Sequence, residues 1–289
     1  TASLTNAAGA QITGNITAGG NTVISNAGSF TGNITLGAGD DSISNTGAIV
    51  GNIDMGAGVN TIGFGSTAAL PTGTLTADAA GTNTINLFGG GADTLNIAVT
   101  NFDVLNKDGT GSWSLSQPIV LADRININAG TLVSTDGDWL GGNRIVNNAN
   151  LNLSNLTDGN LTGTIEGSGA VTVGGGGTAI TTLSGANTYT GVTTVTGGTL
   201  RLAGGSALVD SGAVVVTAPG ILDVAAAETI GDLTGTGSVT LSGGTLSLGS
   251  GNFTGVISGA NGLTKVGSGS FTLAGANTFS GPLTVNNGT

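Results

Sequence analysis

Eight charged side chains and both tryptophans fall within residues 101–150: Asp103, Lys107, Asp108, Asp123, Arg124, Asp136, Asp138 and Arg144, with Trp113 and Trp139. Carboxylates beside Arg or Lys are what glycosidases and lyases use, and an indole face stacks on a sugar ring. Replacing Asp123 or Asp138 by Asn tests that chemistry. Spacing alone does not set two carboxylates face to face. Asp136 and Asp138 on a strand would share a face only as neighbours, and their segment, STDGDWLGG, reads as a turn. The structural reading is a junction between repeat blocks, where loops collect charge and Trp plugs an irregular coil. It is the reading adopted, so no catalytic residue is assigned.

A second set of acids sits in glycine-rich turns. GAGDDSI (Gly37 to Ile43) and GGGADTL (Gly89 to Leu95) fit a GxGxDx-aliphatic calcium turn, and GAGVNTI (Gly56 to Ile62) fits with Asn for Asp. Calcium needs several oxygens, which that motif gathers from consecutive nonapeptides. No nine-residue period is present here. One matched corner per coil can still place Asp41 above Asn60, but the turns are read as structural and no metal ligand is assigned.

Other chemistry is excluded by composition. Among 289 residues there is no His and no Cys, which removes the commonest zinc ligands and two common catalytic groups. No GxSxG sits in a strand-to-helix setting, and the Gly-rich stretches lack the GKS or GKT ending of a phosphate loop. A net charge of −11 with five Lys and Arg leaves no basic stripe for nucleic acid or an anionic membrane surface. No apolar run is long enough to span a membrane as a helix. The 56 glycines argue against a helix-rich fold, and 38% hydrophobic residues with 7% charged ones argue against disorder. The opening TASLTNAAGA lacks a Met and a signal pattern and reads as a piece of a longer precursor.

Short repeats must position what side chains there are. ITGNITAGGNTVISNAG from Ile12 is followed by FTGNITLGAGDDSISNTG from Phe30, IVGNIDMGAGVNTIGFG from Ile49 and a degenerate PTGTLTADAAGTNTINL from Pro71. Gly14, Gly32, Gly51 and Gly73 mark the register. Alternating apolar runs between Gly, Asn and Asp read as short strands with tight corners. A unit this small cannot bury its own apolar face, whereas stacked parallel units can. The expected fold is all-β, a parallel β-solenoid. Ile16, Ile34 and Ile53 form an interior ladder, and Asn15, Asn33 and Asn52 stack at a corner.

The C-terminal half carries a longer duplication. GNLTGTIEGSGAVTVGGGGTAITTLSGANTYTG (Gly159 to Gly191) matches GNFTGVISGANGLTKVGSGSFTLAGANTFSG (Gly251 to Gly281). Tyr189 and Phe279 hold equivalent places, which marks them as structural aromatics filling a coil end. Leu183 to Leu202, LSGANTYTGVTTVTGGTLRL, and Leu273 to Thr289, LAGANTFSGPLTVNNGT, resemble the passenger-associated transport repeat of bacterial autotransporters. GVISGANGLTKVGSGSFTL resembles the phrase that precedes it. The resemblance covers roughly residues 159–289. It implies a right-handed parallel β-helix, exported through periplasm and outer membrane to the cell surface or secreted; at about 20 residues per coil the 289 residues make roughly 13–15 coils. It also implies a C-terminal outer-membrane barrel in the same precursor. With only 10 aromatics, that barrel is not expected in this chain.

Three regions are expected: 1–100, N-terminal coils with 18–22-residue repeats; 101–158, irregular charged and Trp-containing coils; and 159–289, coils with the transport repeats. The expected function is a rigid adhesive or structural rod some 60 to 70 Å long, binding a host-cell or matrix ligand or itself, without a cofactor, nucleic acid or membrane insertion. The alternatives are a glycan-cleaving enzyme using residues 101–150 and a passive stalk presenting another domain. Ice or crystal binding needs Thr-x-Thr rows at coil spacing, and the threonines look scattered, without such a register.

Overall fold

The computed structural model describes residues 1–136 and 138–289; Gly137, in the STDGDWLGG segment, lies outside the described residues. Among the described residues there is no helix, and the strands pair in parallel into a β-solenoid of about 14 turns. The chain divides into two compact units, Thr1–Leu132 and Val133–Thr289.

In the first unit one face stacks Ala2–Asn6, Thr22–Asn26, Ser42–Asn45, Asn60–Gly65, Asn83–Phe88, Val104–Lys107 and Arg124–Ile127 in chain order. A second stacks Ile16–Thr17, Ile34–Thr35, Ile53–Asp54, Leu75–Thr76 and Val99–Thr100. Shorter strands such as Gln11–Thr13, Ser29–Thr31 and Ala48–Val50 complete the coils. The expected ladder is present. Ile16, Ile34, Ile53 and Leu75 are in register, and the last three are at most 1% exposed. Each such buried aliphatic contributes about 1.5–3 kcal/mol. Alternate residues point out, so the core is one side chain deep at each rung.

Glycine supplies the corner beside this ladder. Gly14, Gly32 and Gly51 have φ of 133°, 145° and 142°, and a Cβ on Gly32 would lie 2.2 Å from the Gly14 carbonyl oxygen. Only glycine lets successive backbones approach so closely. Asn15, Asn33 and Asn52 stack alongside as expected. Asn15 Oδ1 accepts the Asn33 N–H at 2.9 Å, and Asn33 Oδ1 accepts the Asn52 N–H at 3.0 Å. The threonines prove more ordered than the spacing suggested. Thr17, Thr35, Thr76 and Thr100 share an outward column interrupted by Asp54. Unequal coil lengths conceal that register in the sequence.

In the second unit one sheet contains Asn150–Ser154, Ala170–Gly174, Thr193–Val195, Ala213–Val216, Glu228–Gly235, Leu246–Phe253, Leu263–Lys265 and Leu283–Val285. Another stacks Gly159–Leu161, Ile180–Leu183, Thr199–Leu202, Ile221–Val224, Ser238–Leu241 and Val256–Gly259. Interior positions such as Leu200, Leu222, Val239 and Ile257 are fully buried. Residues 101–158 also carry paired strands, and the division between units falls among them, after Leu132.

Candidate functional site

The charged side chains of residues 101–150 are each engaged within a few residues or with an adjacent coil. Asp103 Oδ2 accepts the Asn83 N–H at 2.6 Å, and Asp108 Oδ1 accepts the Asn128 amide at 2.7 Å. Asp123 pairs with Arg124, and Arg144 with Glu166. Asp136 accepts the Asp138 N–H at 3.0 Å through Oδ1 and the Thr157 hydroxyl at 2.6 Å through Oδ2. Trp113 is fully buried, its Nε1–H donating to the Phe88 carbonyl at 3.3 Å, so it plugs the core; Trp139 is half-buried.

Of the two acids singled out for glycan chemistry, Asp123 belongs to the first unit and Asp138 to the second. Asp138 shares a shallow cleft of about 310 Å³ with Asp158, Asn160, Thr182 and Arg201. Asp138 Oδ1 accepts the Asn160 N–H at 3.0 Å and Asp158 Oδ1 the Ile180 N–H at 2.7 Å. Arg201 is tied through Nε to Asp223 at 2.7 Å. The cleft can hydrogen-bond a polar ligand. Sequence reasoning missed Asp158 and Arg201, because unequal coils put residues far apart in the chain on neighbouring rungs.

In the glycine-rich turns, Asp41 does lie above Asn60: its N–H donates to Asn60 Oδ1 at 3.0 Å, and its own Oδ1 accepts the Thr22 N–H at 2.7 Å. It is 2% exposed, and Oδ2 is buried without a partner. Burial pushes its carboxyl above the usual range, against the Thr22 hydrogen bonds, and the neighbouring Asp40 adds to the rise. Among the described residues no group of three or more His, Cys, Asp or Glu side chains is arranged to hold a metal ion.

Several interior polar groups, Tyr189 apart, went unread in the sequence. Asn6, Asn26 and Asn45 form a buried amide ladder, each Nδ2 donating to the next Oδ1 at 2.7 Å. Lys107 and Lys265 are buried, each donating to the backbone carbonyl two residues on and to one in the next turn. Burial lowers the Lys107 ammonium from its usual value, with Asp108 opposing. Glu228, 3% exposed, accepts the Ala207 and Leu208 N–H groups at 3.1 and 3.0 Å; burial raises its carboxyl. Tyr189 is 2% exposed with its hydroxyl 2.6 Å from Thr193 Oγ1, and burial pushes the phenol far up. Phe279, its repeat equivalent, is half-buried. The only advance signal for these groups was repetition itself, as polar residues at corner positions.

Asn187 explains the repeat phrase containing it. Its Oδ1 accepts the Ile165 N–H at 2.7 Å and its Nδ2 donates to the Ala207 carbonyl at 2.8 Å, joining three successive coils. Asn277 accepts the Ile257 N–H in the same way at 2.9 Å.

Comparison with known proteins agrees with this architecture. Residues 176–202 and 263–289 match the passenger-associated-transport-repeat family. The chain is 32% identical over 205 residues to the adhesin BmaC autotransporter of Brucella suis biovar 1 (strain 1330), a match covering 63% of this chain and 6% of that protein. No solved structure matches. Two matched repeats, an autotransporter relative and a parallel coil stack together support an autotransporter passenger domain.

Proposed function

We propose that the chain is an adhesive scaffold, displayed at the bacterial surface or secreted, that binds a host-cell or matrix ligand or further copies of itself. The C-terminal outer-membrane barrel of the same precursor is its export partner. The observation that carries this reading is where the polar groups are spent. Those with chemical potential are largely engaged in hydrogen bonds within and between coils, while an outer face presents a column of threonines interrupted by one aspartate, Thr17, Thr35, Asp54, Thr76 and Thr100. Such a surface suits many weak polar contacts. The name of the BmaC relative, an adhesin, supports it.

Beads coated with the chain will bind host cells, matrix proteins or one another above inert controls. Binding at control level in all three assays means a passive stalk. A second reading, a glycan-cleaving surface, rests on the Asp138–Asp158–Arg201 cleft. We expect no turnover on a polysaccharide panel. Turnover abolished by Asp138→Asn or Asp123→Asn would replace adhesion with catalysis.

A further inference from the structure

Phe88 carries an aromatic ring on the outer face formed by Asn83–Phe88, Val104–Lys107 and Arg124–Ile127 in the first unit. On the preceding coil Gly65 is paired with Phe88 and Gly63 with Asn86. Neither glycine takes a positive φ, so backbone conformation does not call for them. What they supply is room: a Cβ on Gly63 would lie 3.0 Å from the ring's Cε1, and one on Gly65 3.1 Å from its Cε2. The ring is thereby seated over that strand, half-buried and with part of its surface open. The following coils extend this face into outward columns: Thr84, Val104 and Arg124; Asn86, Asn106 and Asn126; Phe88, Asp108 and Asn128. Each of these side chains is half-buried or exposed. Rungs lie about 4.8 Å apart, and alternate residues about 6.6 Å apart along a strand.

Two of these coils belong to a remodelled repeat. Residues 105–131, LNKDGTGSWSLSQPIVLADRININAGT, align without a gap with residues 263–289, LTKVGSGSFTLAGANTFSGPLTVNNGT, one of the two matched repeats. Lys107 donates to the carbonyls of Gly109 and Ala129, and Lys265 to those of Gly267 and Asn287. Gly130 and Gly288 both take positive φ, 67° and 74°. Residues 105–131 are therefore a diverged copy that has kept its lysine turn, while PIVLAD stands in place of the corner phrase ANTFSG. Its buried residues keep their character: Leu105, Lys107, Ile125 and Ile127 correspond to Leu263, Lys265, Leu283 and Val285. Its outward ones do not. Asn106, Asp108 and Asn126 stand where the matched repeat has Thr264, Val266 and Thr284, so hydroxyls and a valine have given way to amides and a carboxylate. The lysine turn forms with either set, so the fold does not account for the change.

The polar side chains hold one another in place. Asn106 Nδ2 donates to Asn86 Oδ1 at 2.8 Å, Asn126 Nδ2 to Asn106 Oδ1 at 2.7 Å, and Arg124 Nε to Asn126 Oδ1 at 3.1 Å. Asn128 Nδ2 donates to Asp108 Oδ1 at 2.7 Å. Each amide nitrogen carries two hydrogens, so Asn106, Asn126 and Asn128 keep a donor beyond these bonds. We infer that this array binds a neutral saccharide, Phe88 packing against the C–H face of a sugar ring while the fixed amides and the Asp108 carboxylate bond neighbouring hydroxyls. A hydroxyl both donates and accepts, as an amide does, and side chains already held in place lose little freedom on binding. An aromatic ring supplies the apolar contact that a sugar's C–H face offers. A peptide does not add here as a strand, because each of these strands is paired on both sides. Asp108 and a net charge of −11 disfavour sialylated or sulfated sugars. The inference deepens the adhesive reading by naming a ligand class, and its biological role rests on that reading.

The probes are lactose, cellobiose and diacetylchitobiose, with sialyllactose as the anionic comparator, titrated into the isotope-labelled full chain. Saturable shifts of the Asn86, Asn106, Asn126 and Asn128 side-chain amides are expected with at least one neutral probe, and weaker binding of sialyllactose. Asn106→Thr/Asn126→Thr installs the residues of the matched repeat, a surface that the same turn already carries, and weakens binding at least about tenfold. Phe88→Leu, which still fills the space over the glycines, does the same; both variants are checked for an unchanged urea midpoint. Absence of saturable shifts with every neutral probe overturns the inference, as does undiminished binding by either variant, or sialyllactose binding as tightly as the best neutral probe. Coated beads that adhere although no probe moves these amides sink this inference and leave adhesion standing. Beads at control level with the amides moved keep the saccharide site and sink the adhesive reading instead.

Discussion

Lys107 and Ala129 lie one coil apart, and the ammonium of the first donates to the carbonyl of the second at 2.9 Å. In the first unit Lys107 follows Asn6, Asn26, Asn45, Phe64 and Leu87 in a single interior column, so a charged group occupies a place that asparagines and apolar residues fill elsewhere. Burial lowers its pKa, and the turn directs two carbonyls at its nitrogen.

Removing that ammonium leaves those carbonyls buried and unpaired. Lys107→Met is expected to cost about 1–3 kcal/mol, read from the urea midpoint. Lys107→Asn should cost less, since Asn26 already reaches the Ala48 carbonyl at 3.0 Å from the same column. Equal losses for Met and Asn would show that the column does not tolerate an amide at this rung.

Asp41 gives the pH dependence. Its folded-state carboxyl is raised above the ordinary 3.8, so between the two values the folded chain holds a proton that the unfolded chain has lost. Its contribution to stability therefore rises as pH falls from neutral and is complete near pH 3.8. Glu228 acts in the same direction. Asp41→Asn should stabilise the chain by about 1 kcal/mol at pH 7 and flatten this part of the profile, because an amide replaces a buried charge. Thermal melts in calcium and in EDTA should coincide. A calcium-dependent rise lost in Asp41→Asn would make the turn a metal site.

Asn187 bonds to the coils on both sides, whereas the Asn277 amide nitrogen turns back to Gly275 at 2.9 Å. Asn187→Ala should thus cost about 2 kcal/mol and Asn277→Ala measurably less. Asn187→Asp keeps the acceptor for Ile165 but aims a carboxylate at the Ala207 carbonyl. It should be less stable at neutral pH than at pH 4, measured by chemical denaturation at both.

Much of this architecture was legible before any coordinates. The Ile16, Ile34 and Ile53 ladder and the Asn15, Asn33 and Asn52 corner could be read because the first copies differ in length by only one residue. Tyr189 could be read as structural from its twin, Phe279. The diverged copy at 105–131 could not, because the corner phrase that marks the repeat is the part it lost. Lysine clasps and matching glycine conformations revealed it. The Asp138–Asp158–Arg201 cleft was equally hidden, since nothing in the chain states which rungs become neighbours.

Asp40 and Asp41 show the division most directly. The sequence by itself determined that GAGDD is a turn between strands, that coils stack in parallel, and that few side chains remain for chemistry, because alternation and glycine placement are local properties. Which of the two acids would be buried was decided by tertiary structure. Asp41 falls between Thr22 and Asn60 on adjacent coils, while Asp40 stays exposed, its Oδ1 accepting the Val59 N–H at 2.9 Å. Inward or outward direction at a corner depends on where the turn is closed, and that closure is set by the backbone of the neighbouring coil.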